Sequence, residues 1–95
     1  MARAMWKGAV LAESDDIEVV EGNLYFPMSS ITDRGLFTKS ETETHCFWKG
    51  SCNYFNIVVD GETNKDAAWF YPTPLPAAKQ ITDRIAFWKG VEVTP

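Results

Sequence analysis

Apolar and polar residues alternate with a period of two over much of this chain, in short runs punctuated by glycine, asparagine, aspartate and proline. Gly8-Ala9-Val10-Leu11-Ala12-Glu13-Ser14 reads as a strand, and Ser14-Asp15-Asp16 as a polar turn. Ile17 to Glu21 is mostly β-branched, with Ile17 and Val19 on one face and Glu18 on the other. Gly22-Asn23 offers a two-residue hairpin turn, because both residue types tolerate positive φ. Leu24-Tyr25-Phe26 is then the returning strand, which Pro27 ends. Met28 to Arg34 has room for one helical turn or an irregular loop. Leu36 to Lys39 is a short strand, and Ser40 to Glu43 is polar and turn-like.

The second half carries the stronger signals. His45 to Val59 has strand chemistry at both ends and a glycine break at Gly50, so it predicts two strands meeting at a bend. Phe55, Ile57 and Val59 alternate with Tyr54, Asn56 and Val58. Asp60-Gly61 is the clearest hairpin turn in the chain. A polar loop through Asn64-Lys65-Asp66 leads to the strand Ala67 to Tyr71, in which Ala67, Trp69 and Tyr71 share one face. Pro72-Thr73-Pro74-Leu75-Pro76 is a stiff connector, and Pro76 can open a short helix over Ala77 to Gln80. Ile85 to Trp88 and Val91 to Val93 read as closing strands around Lys89-Gly90. Roughly eight short strands with hairpin spacing predict an all-β chain with minor helix, folded as a small antiparallel two-sheet sandwich or barrel.

Two short motifs recur. Trp-Lys-Gly occurs at Trp6, Trp48 and Trp88, and Ile-Thr-Asp-Arg at Ile31 and Ile81. Their spacings disagree, so a solenoid or propeller, which needs one period, is excluded. Trp-Lys-Gly is expected wherever a glycine bends a strand beside an aromatic that turns inward.

Ninety-five residues make a single domain spanning 1–95. Four Trp, three Tyr and six Phe are many rings for one small core, so a minority are expected to line a cleft. The formal net charge of −4, with acidic residues spread along the chain, argues against a nucleic-acid partner, which requires a basic stripe. There is no long apolar run and no signal-peptide core, so neither membrane insertion nor export is expected and the default compartment is the cytoplasm. Two cysteines and one histidine supply neither a disulfide framework nor a four-ligand metal site, and no cofactor is implied.

Candidate chemistry gathers at the Gly50 bend. Cys46 shares its strand face with Thr44 and Trp48, which suits a thiol on a pocket wall. His45 points to the opposite face and reads as a surface or edge residue. Lys49 beside Cys46 would lower the thiol pKa if it approached the sulfur. Cys46 and Cys52 would lie about 20 Å apart in one straight strand, and a bridge would need the bend to fold the two arms together. Trp48, Trp69 and Tyr71, with Tyr25 and Tyr54, form a candidate aromatic wall, with Lys49 and Asp66 at its edge. Such walls suit a flat or cationic small molecule. The alternative is that these rings are core.

With these residues in view, the chain resembles the bacterial family called domain of unknown function 427, which also carries a nucleotidyltransferase-like label. The resemblance rests on Gly8 through Ser14, Tyr25-Phe26-Pro27, Thr44 through Gly50 and Tyr54-Phe55. It continues through Asp66 to Pro72, then Pro74 and Ala86-Phe87, in order along nearly the whole chain. Phe47 stands where the family usually has proline, which frees a backbone N–H beside Cys46. The resemblance implies a mostly antiparallel β protein, similar to the two-sheet tent of small pocket-bearing domains, and supplies no reaction. A transferase reading lacks a phosphate-cradling glycine loop and an Asp-x-Asp pair.

Three functions follow as expectations. The first is a domain that binds a small molecule in an aromatic-walled pocket near Cys46 and Lys49. The second is a thiol enzyme with Cys46 as nucleophile, Lys49 as its activator and Asp66 as proton carrier. The third is a structural or interaction module, homo-oligomeric through exposed strand edges.

Overall fold

The computed structural model describes Met1–Pro95 as nine strands and three short 3₁₀ segments. The strands are β1 (Ala2–Trp6), β2 (Ala9–Ser14), β3 (Glu18–Val20), β4 (Asn23–Pro27), β5 (Phe37–Cys46), β6 (Gly50–Val59), β7 (Glu62–Phe70), β8 (Arg84–Phe87) and β9 (Glu92–Thr94). The 3₁₀ segments are Met28–Ser30, Arg34–Leu36 and Pro76–Ile81. Every ladder is antiparallel. One sheet has three strands in the order β2-β1-β9, and the other six in the order β3-β4-β8-β7-β6-β5. The result is the expected all-β, two-sheet architecture, open rather than closed into a barrel. No helix is long and apolar enough to cross a membrane.

Turn chemistry explains most of the connections. Lys7-Gly8, Glu21-Gly22 and Asp60-Gly61 each put two successive residues at positive φ and join strands paired directly across them. That geometry matches the right-handed strand twist and is nearly free of strain when the second residue is glycine. The first of the expected hairpin turns therefore sits one residue earlier than Gly22-Asn23, because Asn23 already pairs with Val20. Trp-Lys-Gly is a turn motif at Trp6 and Trp88, where Lys and Gly both have positive φ, rather than a strand bend that turns the ring inward. At Trp88 the turn does not make a hairpin. β8 stays in the larger sheet while β9 crosses to pair with β1, so Lys89-Gly90 links the two sheets.

Two further differences have clear causes. β1 lacks the β-branched residues that mark a strand, yet Ala2 and Ala4 are buried where small side chains let the sheets approach. Ser40 to Glu43 is a bulge inside a continuous β5, not a turn, and Asn64 to Asp66 belongs to β7 rather than a loop. Asp66 holds both irregularities: its carboxylate accepts from Ser40 and from Thr42 Oγ1 (2.8 Å), and its own N–H donates to Asn56 Oδ1 (3.0 Å). These hydrogen bonds hold the Asp66 carboxyl below its usual range. Its positive φ marks the β7 bulge, after which Ala67 packs with the core opposite Trp69 and Tyr71.

The core has two parts, one on each face of β4, β8 and β7. Between the sheets, Ala2, Ala4, Leu11 and Ala12 meet Phe26, Ile57, Ala68, Ile85 and Phe87. Phe26 and Phe37 stand edge-on to Phe87 at 5.7 and 6.3 Å between ring centroids. On the outer face, Tyr25, Cys52, Trp69, Tyr71 and Ala86 pack with Val20 and with Ala78 and Ile81 of the last 3₁₀ segment. The candidate residues lie in this second cluster.

Candidate functional site

Register builds the outer cluster. Tyr54 lies opposite Trp69, and Trp69 opposite Ala86, so one row of the sheet presents an aromatic pair beside a small residue. Tyr25 stands next to that row, and its hydroxyl accepts from Trp69 Nε1 at 3.1 Å with the two rings edge to face at 6.2 Å. One step along, Cys52 pairs with Thr44, whose hydroxyl meets the Tyr54 hydroxyl at 2.9 Å. The β5–β6 hairpin closes at Cys46 opposite Gly50, with Phe47, Trp48 and Lys49 as its loop. The bend does fold the two arms together: Cys46 and Cys52 lie diagonally on one face, and both thiols are free.

Gly50 makes this closure possible. It sits at φ +107°, and a Cβ there would lie 3.2 Å from the Thr73 carbonyl oxygen. Leu75 N–H donates to the Lys49 carbonyl at 3.0 Å, so the proline-rich connector lies against the hairpin and fixes the Lys49 backbone.

Lys49 is the one charged residue buried in the structure, at 8% exposure. Its ammonium sits 5.4 Å from the Trp48 ring centroid and 5.3 Å from that of Tyr71. Its counterion is Glu21, which reaches in from the β3–β4 turn with half of its own side chain exposed. Burial alone would lower the lysine pKa, but the bond to Glu21 and the nearby Tyr71 outweigh it and raise the value above the usual 10.5. The ammonium therefore stays charged. Burial pushes the Tyr25, Tyr54 and Tyr71 phenols and the Cys52 thiol upward, so all four are neutral at physiological pH. A single cation is thus held by one carboxylate, that of Glu21, among neutral hydroxyl, thiol and ring groups.

The expected residues are not all brought together. Tyr25, Trp48, Lys49, Tyr54, Trp69 and Tyr71 join one region, with Cys46 half-buried beside them. Asp66 stands apart on β7, its carboxylate taken up by Ser40 and Thr42. His45 is exposed. The three surface cavities, of about 400, 310 and 170 Å³, are lined by other residues, and the aromatic rings pack against one another. No group of three or more His, Cys, Asp or Glu side chains is placed to hold a metal ion. Sequence reasoning missed Cys52, which period-two spacing from Tyr54 places on this face, and Glu21, for which there was no local signal.

The Tyr25–Trp69 bond is testable by Tyr25→Phe. Loss of the hydroxyl leaves the indole N–H without its buried acceptor, so stability should fall by about 1–3 kcal/mol. Chemical denaturation checks this; an unaltered midpoint would mean that water replaces the hydroxyl.

A search among curated proteins finds no match. Residues 1–94 do match a family model, NTP_transf_9, described as a domain of unknown function (DUF427). A match over nearly every residue, with the two-sheet fold and the Thr44–Gly50 hairpin in place, assigns the chain to that family: it is a member of DUF427.

Proposed function

We propose that the face around Lys49 binds a small molecule carrying an acidic group beside a flat ring. The observation that carries this reading is the counterion arrangement: a nearly buried ammonium whose carboxylate partner comes from a half-exposed side chain on a tight turn. A ligand carboxylate can exchange with that of Glu21 without stripping the cation of its charge partner. Trp48, whose ring lies 5.4 Å from the ammonium between centroid and nitrogen and is only partly buried, offers apolar surface for the rest of the molecule. Lys49 already occupies the cation position over the Trp48 and Tyr71 rings, which favours an acidic ligand over the cationic one that aromatic walls alone suggest. Cys46 and Tyr54 border the same region, and Trp69 and Tyr25 support it from beneath.

The thiol-enzyme reading has less support. It needs Lys49 at the Cys46 sulfur and Asp66 nearby, whereas the ammonium is held by Glu21 and the carboxylate by Ser40 and Thr42. The interaction-module reading is an outcome of the same experiment. Benzoate is a suitable probe, titrated by calorimetry into the wild type, Glu21→Ala and Lys49→Met. Removing the competing carboxylate should tighten binding in Glu21→Ala. Removing the ammonium should weaken it about tenfold or more, the worth of a charge-assisted hydrogen bond. Equal binding by wild type and Lys49→Met, or none by Glu21→Ala, would sink the proposal and leave the cluster a structural one.

A further inference from the structure

The largest cavity of the protein, about 400 Å³, lies away from Lys49, and the recurring Ile-Thr-Asp-Arg motif builds it. Arg34 ends the first copy, and Thr82, Asp83 and Arg84 end the second; Met28 and Ser29 add to its wall. Met28, three residues before the first copy, donates its N–H to the Asp83 carbonyl at 2.8 Å and so ties the second copy to the chain leading into the first. The copies are identical in sequence but not in conformation. Asp33 is extended and its side chain accepts from Gly35 N–H, whereas Asp83 sits at φ +56° with no hydrogen bond to its carboxylate. Thr32 is tied to the Val10 carbonyl and Thr82 to that of Lys79.

Charge decides what such a cavity can take. Arg84 is already neutralised: it donates to Asp16 Oδ1 at 2.8 Å and to the Asp16 and Tyr25 carbonyls, with only 14% of its side chain exposed. Arg34 gives one hydrogen bond, to the Met28 carbonyl at 3.2 Å, and leaves most of its guanidinium donors free. Neither Arg34 nor Asp83 enters an ion pair, although both are exposed and line the same cavity. A phosphate dianion would meet one free cation and one free anion and gain little. A ligand with both charges would satisfy the two together. Pro27 and Met28 give the lining an apolar share beside Ser29 and Thr82, so the body between the charged ends can carry both methylene and polar groups.

We infer that the cavity between the two Ile-Thr-Asp-Arg segments is a binding site for a small polar zwitterion, of the amino acid type, whose carboxylate pairs with Arg34 and whose ammonium pairs with Asp83. A planar guanidinium with free donors suits a carboxylate bidentately, and a carboxylate without other partners suits an ammonium. The cavity volume falls within the usual range for small-molecule sites and admits more than the smallest amino acids.

The test uses the whole chain and L-glutamine, with two analogues that each lack one charge: glutaramic acid, without the ammonium, and 4-aminobutanamide, without the carboxylate. Binding is read by calorimetry and by amide chemical shifts. Glutamine should bind with Kd on the order of a millimolar, shift the amides of 28–34 and 82–84, and bind more tightly than either analogue. Arg34→Gln and Asp83→Asn should each weaken it about tenfold. Both sites are exposed, and far-UV circular dichroism verifies that the variants fold. Glutaramic acid or inorganic phosphate binding as tightly as glutamine would show a plain anion site and overturn the inference. So would shifts confined to other residues, variants that bind like wild type, or no glutamine binding at tens of millimolar.

Discussion

Trp69→Ala should cost about 3–5 kcal/mol, the loss of transfer energy plus a cavity that its neighbours cannot close. The indole is 9% exposed and stands on β7, the strand between β8 and β6, so the pairing on either side fixes its position. It meets Tyr25 edge-on, lies 5.4 Å from the Trp88 ring between centroids, and donates its N–H to Tyr25. A domain this size has a total stability of roughly 5–10 kcal/mol, so the variant would lose about half of it. Urea denaturation followed by circular dichroism gives the measurement. Trp69→Phe, which keeps a ring but not the N–H, should recover more than half of the loss. A midpoint unmoved in Trp69→Ala would show that the outer cluster carries little of the fold.

Alkaline pH should destabilise the protein steeply, beginning near the ordinary thiol pKa of 9.0. In the unfolded chain Cys52 ionises there, Tyr25 and Tyr71 near 10.0, and Lys49 loses its proton near 10.5. In the folded chain all four hold their protons longer: burial disfavours the thiolate and the phenolates, and Glu21 holds the ammonium. Above pH 9 the unfolded state therefore binds fewer protons than the folded one, and stability falls as pH rises. Each group costs about 1.4 kcal/mol for every pH unit by which its titration lags. The lags of the four groups act in the same direction, so the decline is steep. Denaturation midpoints between pH 7 and 11 follow the decline, and Cys52→Ala should flatten its first part. A profile level across this range would contradict the buried, neutral state of these groups.

Much of the fold was legible because one sheet face is buried while turns obey local rules. The period-two pattern around Phe55, Ile57 and Val59 and the Asp60-Gly61 turn translate directly into β6 and the hairpin end of its pairing with β7, as far as Asn64, beyond which the Asp66 bulge resets the register. Trp-Lys-Gly was legible as a recurring feature but not as one structure. At Trp6 and Trp88 the lysine takes positive φ and makes a tight turn, while at Trp48 only the glycine does, and the lysine is buried. The same three residues do different things because different segments pack over them: Pro72 to Leu75 covers Gly50, whereas Gly8 and Gly90 face open space. Ile-Thr-Asp-Arg divides in the same way, with Asp33 bonded to its own turn and Asp83 left at a cavity wall.

The amino-acid sequence by itself determined the strand-rich class, most of the hairpins and the aromatic character of the β7 face. These depend on side-chain period and on which residues tolerate positive φ, and both are local properties. Tertiary structure decided the rest. It gave Lys49 a counterion 28 residues away in the chain, brought Cys52 rather than Cys46 to the centre of the buried cluster, and set Asp66 to hold two bulges. It also sent β9 to the opposite sheet from β8 and placed the two Ile-Thr-Asp-Arg segments around one cavity. Each of these is a contact between distant segments, fixed by which faces bury each other, and no short window of residues contains both partners.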